Sequence, residues 1–312
     1  MAVCLALLML LCLPPVHAGQ PGVLVVNGSR DDIYAPFIEA FEQDFATPSG
    51  NTADTTIEQL MLEDTDSSAG IRKSPAGIIV SVGTRAARSI AALGLTTPVL
   101  YALIPESTYL SVAPVQTDCA THAAIYIDQP LDRQTRLAGM VFPEARSYGA
   151  LLGPTSRRHL PALEKIAAGA DWELVVNEVQ QDMEPEWTTR RLVEKTDLIL
   201  AISDPKTLNR NNAKWLLYTA YQEQNPVIGF SSAYVRAGAA AAVYSEPGQL
   251  GRQAAEFVQR WQQDGAGCLP PAEYPAYFSV ASNPAIIHSL GGTNRDDDEL
   301  ARLLAGKERA PR

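Results

Sequence analysis

Cysteine and histidine are scarce, with four of each in 312 residues, so a disulfide-dense scaffold and a multi-zinc protein are both excluded. Positive charge is also in short supply. The chain has 25 Lys and Arg against 35 Asp and Glu, a formal charge of −10, with no basic stripe. Phosphate backbones need a concentrated positive surface, so nucleic acid is not an expected partner. The apolar run from Cys4 to Leu13 is only 10 residues long, far short of the ~20 that cross a bilayer.

Enzyme signatures are missing too. There is no P-loop and no strand-borne G-x-G-x-x-G. The nearest approach to a nucleophile elbow, Gly229-Phe230-Ser231-Ser232-Ala233, lacks its second glycine. His122, His159 and His288 are scattered without metal-ligand spacing, and His159 reads as a helix-surface residue. The triple Asp296-Asp297-Asp298 reads as a solvated charge run in a polar C-terminal tail. The chain is therefore expected to be neither an enzyme nor a carrier of a metal or cofactor.

The amino-terminal run is ended by Pro14 and Pro15 and followed by Val16-His17-Ala18, small residues at cleavage spacing. It reads as a secretory signal peptide, residues 1–18, although no Lys or Arg precedes it. Leu11 stands where lipoprotein processing of Cys12 wants a small residue, so soluble release into the periplasm is expected. Cleavage leaves 294 residues, with Cys119 and Cys268 as the remaining cysteines. These two either close one long disulfide loop in an oxidising compartment or sit apart as buried thiols.

Past the leader, short apolar runs alternate with amphipathic stretches. Strands are expected at 23–26, 78–82, 98–103, 123–127, 148–152, 172–176, 198–202 and 226–230, with helices between them. Residues 49–74 are less legible, with a strand at 52–57 and a helix fragment at 59–64 expected. Such alternation indicates parallel sheets covered on both faces, and the pattern restarts near residue 123, which argues for two α/β lobes. Ligands of such sheets sit beyond the carboxyl ends of the strands. Those ends are Gly28-Ser29, Gly83-Thr84, Thr155-Ser156, Ser203-Asp204 and Ser231-Ser232. Ser, Thr and Asp are also ordinary helix caps, so each serves either role on sequence grounds.

Seven segments together resemble the substrate-binding proteins of ABC transporters with the type I periplasmic-binding fold, in the subgroup related to proposed tryptophan and tyrosine binders. They are 79–87 (IVSVGTRAA), 97–103 (TPVLYAL), 128–134 (DQPLDRQ), 142–146 (FPEAR), 201–205 (AISDP), 226–231 (PVIGFS) and 282–285 (SNPA). The resemblance implies two Rossmann-like lobes joined by three hinge crossings, near residues 124–128, 242–245 and 274–281. It divides the chain into a first lobe, 19–123 plus 246–273, and a second lobe, 124–245 plus 274–295, with 296–312 as the polar tail. In that topology Cys119 and Cys268 both fall in the first lobe, each shortly before a crossing, which favours their pairing. It further implies a ligand site built from Gly28, Ser29, Gly83 and Thr84 of one lobe, Gln129 at the hinge, and Ser203, Asp204 and Ser231 of the other. Asp204 would hold the ammonium of an amino-acid ligand, and Tyr34, Tyr101 or Tyr234 would stack on an apolar part. The implied function is capture of a small polar ligand by a monomer that serves an inner-membrane ABC permease. A module reporting to a membrane receptor or kinase is the alternative.

Overall fold

The structure, a computed structural model, describes residues 22–29, 32–46, 56–63, 67–113, 119–179 and 185–309. The expected signal peptide lies outside these residues, as does most of the strand expected at 52–57.

Strands β1 (Val23–Asn27) and β3 (Ile78–Val82) read VLVVN and IIVSV, nearly continuous apolar runs buried along their length. Strands covered on both faces need that composition, and both lie centrally in a parallel sheet. With β2 (Ile57–Met61), β4 (Val99–Ile104) and β5 (His122–Tyr126) they form a five-stranded sheet in the order β2-β1-β3-β4-β5, every pair parallel. The edge strand β2 replaces the helix fragment expected near residue 59, and α2 (Ser67–Lys73) follows it. Two of its five residues are exposed, so IEQLM lacks the apolar run that marks the inner strands.

The second sheet contains β6 (Ser147–Leu152), β7 (Glu173–Glu178), β8 (Leu198–Leu200), β9 (Val227–Gly229), β10 (Ala241–Tyr244) and β11 (Ser279–Ser282). Their order is β11-β10-β9-β8-β6-β7, parallel except for antiparallel β11. Starting the count at β6 reproduces the 2-1-3-4-5 order of the first sheet. Each lobe therefore has one point where the strand order reverses, between β1 and β3 and between β6 and β8.

Helices cover both faces of each sheet. In α1 (Ala35–Ala46), Phe37, Phe41 and Phe45 fall at helical spacing and their rings stack at 6.4 and 5.5 Å. They pack against Leu250, Ala254, Phe257, Val258 and Trp261 of α10 (Pro247–Gln263), so a helix late in the chain completes the first core. On the second sheet, α5 (Leu131–Val141) and α6 (Leu160–Ala168) lie on one face, while α7 (Pro185–Val193) and α8 (Arg210–Gln222) cover the other.

Residues 296–309, the described part of the expected tail, are not solvated chain. α12 (Asp297–Arg309) buries Leu300 and Leu304 completely in the second core. Its acidic run is a helix start: the Asp296 carboxylate accepts the Asp298 and Glu299 amides, and negative charge suits a helix amino terminus.

A disulfide joins Cys119 to Cys268 across 149 residues of sequence. Beside it the Leu269 amide donates to the Ala120 carbonyl at 2.8 Å, seating the end of the α10 segment against the entry to β5. The chain leaves the first sheet after Tyr126, somewhat later than residue 124. It returns after Tyr244 through Ser245 and Glu246, and crosses again over residues 275–278 into β11.

Candidate functional site

Both strand-reversal points, where a doubly wound sheet ordinarily opens to ligand, are filled from within. In the first lobe the Tyr34 ring, from the 3-10 turn Asp32–Tyr34, lies over Gly28 and Gly83. A Cβ on Gly83 would meet the Tyr34 hydroxyl at 2.6 Å, and Gly83 also has φ +87, so glycine is required twice over. In the second lobe the Asp204 carboxylate fills the gap. One oxygen accepts the Thr155 amide (3.0 Å), the Ser156 amide (2.9 Å) and the Ser156 hydroxyl (2.9 Å). The other accepts the amides of Lys206 (3.0 Å) and Thr207 (3.2 Å). Gly153 permits this approach, since a Cβ there would lie 2.7 Å from the carboxylate. Burial pushes the Asp204 carboxyl up, but hydrogen bonds from Thr155, Ser156 and Lys206 outweigh it and hold the group below its ordinary range.

A cavity lies farther along, where β8, β9 and β10 end and the chain crosses between lobes. It has about 330 Å³ of space. Its apolar wall is Ile127, Leu131, Ile202, Phe230 and Val243. Hydroxyls come from Ser203, Ser231, Ser232, Tyr244 and Ser245, and carboxylates from Asp128 and Glu246. Gln129, Gln134, His159 and Ala201 complete the lining. Buried Gln134 braces the floor: its amide nitrogen donates to the carbonyls of Ala201 (2.9 Å), Ile228 (3.1 Å) and Gly229 (3.3 Å), which ties α5 to the ends of β8 and β9.

Beside the cavity the three crossings are wired together. Gln129 on the first donates to the Ser245 hydroxyl on the second at 2.8 Å, and Ser245 donates to the Tyr277 carbonyl on the third at 2.6 Å. Arg133 donates to the Gln129 amide oxygen and to the Pro275 carbonyl, and its guanidinium lies 4.0 Å from the Phe278 ring centre. A side-chain network with its donors and acceptors paired sets the geometry of a seam closely. The lobes also touch at one edge. Glu106 opens α4 (Glu106–Val112) in the first lobe and accepts from Arg158 of the second at 3.2 Å; Tyr274 donates to the same oxygen at 3.4 Å.

Of the residues expected at the site, Gln129, Ser203 and Ser231 line the cavity. Gln129 spends both ends of its amide on the hinge, and Ser231 also caps α9 (Ser232–Arg236) by accepting the Tyr234 amide. Gly28, Ser29, Gly83 and Thr84 do not line it. Asp204, expected to meet the ligand ammonium, is 1% exposed and committed to its own loop. Tyr101 and Tyr234 are buried in the lobe cores, the former under the first sheet. His159 is half-buried at the cavity rather than on a helix surface. Asp128 and Tyr244 were legible only as hinge residues and Glu246 only as the start of the returning first lobe, because their inward aim depends on how the crossings converge. Phe230 carried a weak signal, as the residue between strand β9 and the Ser231 cap.

Residues 63–267 match the family model described as ABC transporter substrate binding protein. No match is found among curated proteins. Among solved structures, the chain resembles a ligand-free, open substrate binding protein with adhesive properties from Clostridium difficile. That pair has a TM-score of 0.69 and 15% identity, covering 89% of this chain and 97% of the other. It also resembles an ABC domain in complex with L-Trp from Streptococcus pneumonia, with a TM-score of 0.59, 16% identity and 91% and 98% coverage. A conserved domain protein from Vibrio cholerae matches with the same four values. At these identities the solved structures establish the two-lobed fold.

Proposed function

Since the chain belongs to the ABC transporter substrate binding protein family, we propose that it captures a small polar molecule of about amino-acid size in the hinge-side cavity and delivers it to an ABC permease. The observation that carries this reading is the position of the cavity. Its lining includes Asp128 and Gln129 of the first crossing and Ser245 and Glu246 of the second, so whatever fills it bears on the angle between the lobes. Binding here is recognition without bond-making, in keeping with the non-enzymatic character of the family. Export to the periplasm rests on the signal-peptide reading of residues 1–18. Among the described residues no helix is long and apolar enough to cross a membrane.

The test is a thermal-shift screen of amino acids, small amines and organic acids, repeated on Phe230→Ala. A ligand at 100 times its dissociation constant adds ~2.7 kcal/mol of stability and raises the melting temperature accordingly. Removing the Phe230 ring from the wall is expected to weaken the response at least tenfold in ligand concentration. A response that Phe230→Ala leaves unchanged places the ligand elsewhere and refutes the assignment.

A further inference from the structure

The cavity wall is unbalanced in charge. Asp128 and Glu246 contribute carboxylates, and no Lys or Arg is among the lining residues. The nearby guanidiniums are already engaged, Arg158 with Glu106, and Arg133 with Gln129 and the Pro275 carbonyl. Burial and neighbouring Arg158 hold the His159 imidazole below its ordinary range against the opposing pull of Glu106, which favours the neutral ring. Each carboxylate has a structural duty. Asp128 accepts the Glu106 amide at 2.6 Å, and Glu246 forms a capping box with Gln249 at the start of α10. Tyr244 also hydrogen-bonds Glu246; a carboxylate has two oxygens and about four acceptor sites, so these bonds leave acceptor capacity on two residues that line the cavity.

We propose that the ligand carries net positive charge: an organic cation with an ammonium held between Asp128 and Glu246 and an apolar or aromatic body lying on Phe230, Ile202 and Val243. This narrows the binding reading above and rests on it. Burial pushes the Asp128 carboxyl up, so its charged form is poorly solvated and a cation entering beside it offsets that cost, while the more exposed Glu246 supplies a second acceptor on the same wall. A zwitterion brings its own carboxylate to a wall that offers it no cation, and an anion does so with nothing in return. The Phe230 face adds attraction for a cation as well as apolar contact. Because Asp128 and Glu246 belong to different crossings, a bound ammonium would tie two strands of the hinge together. Ligand charge and lobe angle are thereby coupled.

The experiment compares compounds of one skeleton and three charges by calorimetry: tryptamine, L-tryptophan and indole-3-propionate, then phenethylamine, L-phenylalanine and 3-phenylpropionate. The amine of at least one series is expected to bind tenfold or more tightly than its amino acid, and the acid not at all. Asp128→Asn and Glu246→Gln keep the size and much of the capping ability of the originals. Each is expected to cost the amine on the order of tenfold in affinity, as loss of a charge-assisted hydrogen bond does, while leaving the unliganded melting temperature within a few degrees. If the amino acid or acid binds best and Phe230→Ala abolishes that binding, the cavity assignment stands and the cationic ligand is overturned. If the amines bind equally well to both acid variants, the assignment of the carboxylates is overturned. If no compound of either series binds, the proposal fails, while the screen of the wider library still decides the cavity assignment.

Discussion

Replacing Asp204 separates a ligand contact from a structural cap. In the folded chain its carboxylate takes five hydrogen bonds, from the amides of Thr155, Ser156, Lys206 and Thr207 and the Ser156 hydroxyl. Hydrogen bonds to a charged group are worth ~1.5–3 kcal/mol each, but bonds in one network do not add, and water entering the vacated space restores some of them. Asp204→Ala is therefore expected to cost about 3–5 kcal/mol, toward the upper end of single-substitution effects. Asp204→Asn should cost about 2–3 kcal/mol, because one side of its amide presents a donor to donors. Urea denaturation followed by circular dichroism would read this as a midpoint lowered by about 1 M or more in the alanine variant. The effect has a definite pH dependence. The carboxyl is held below its ordinary range when folded, so its stabilisation is fully present above ~3.9, the unfolded value, and fades as pH falls through the lower folded value. Wild type and variant should converge in strong acid. An Asp204→Ala protein of unchanged midpoint that had lost only ligand binding would refute the structural assignment.

The disulfide encloses the second lobe from α5 to β10 in one loop, and the chain-entropy model gives ~5 kcal/mol for a closed loop of 149 residues. Reduction, or Cys119→Ser with Cys268→Ser, should lower the urea midpoint of the first lobe, and thiol titration of unfolded, unreduced protein should find neither sulfur free. Leu304→Ala should cost about 2–5 kcal/mol, since the side chain is fully buried; a change below 0.5 would return α12 to the solvated tail of the sequence reading. Glu106→Gln removes the contact to Arg158 at the lobe edge, where both side chains are partly exposed. Its stability effect should stay under about 1 kcal/mol, whereas small-angle scattering of the unliganded protein should show a more open pair of lobes. An unchanged scattering profile would deny that contact any part in setting the lobe angle.

Local pattern made much of the fold legible. The inner strands advertise themselves because a strand buried on both faces must be apolar throughout, as VLVVN and IIVSV are. β2 did not, because an edge strand carrying Glu58 and Gln59 on exposed positions has no such run. Asp296 to Asp298 misled for a related reason, since an acidic run looks alike in a solvated tail and at the first turn of a helix. Only the burial of Leu300 and Leu304 distinguishes them.

At the site the division falls elsewhere. Sequence alone indicated that strand-end loops rich in Ser, Thr, Asp and Gly would gather at one end of each sheet, because parallel strands all end on the same side. What those loops do was decided by tertiary packing. Ser203 and Ser231 border the cavity, while Asp204, one residue from Ser203, turns inward to Thr155 and Ser156. Tyr34 covers Gly28 and Gly83, which sequence offered as open backbone. Asp128 and Glu246 are 118 positions apart and meet in one wall only because two crossings of the chain converge there. A side chain's aim at a cavity depends on elements distant in sequence, and no local pattern of residues encodes that distance.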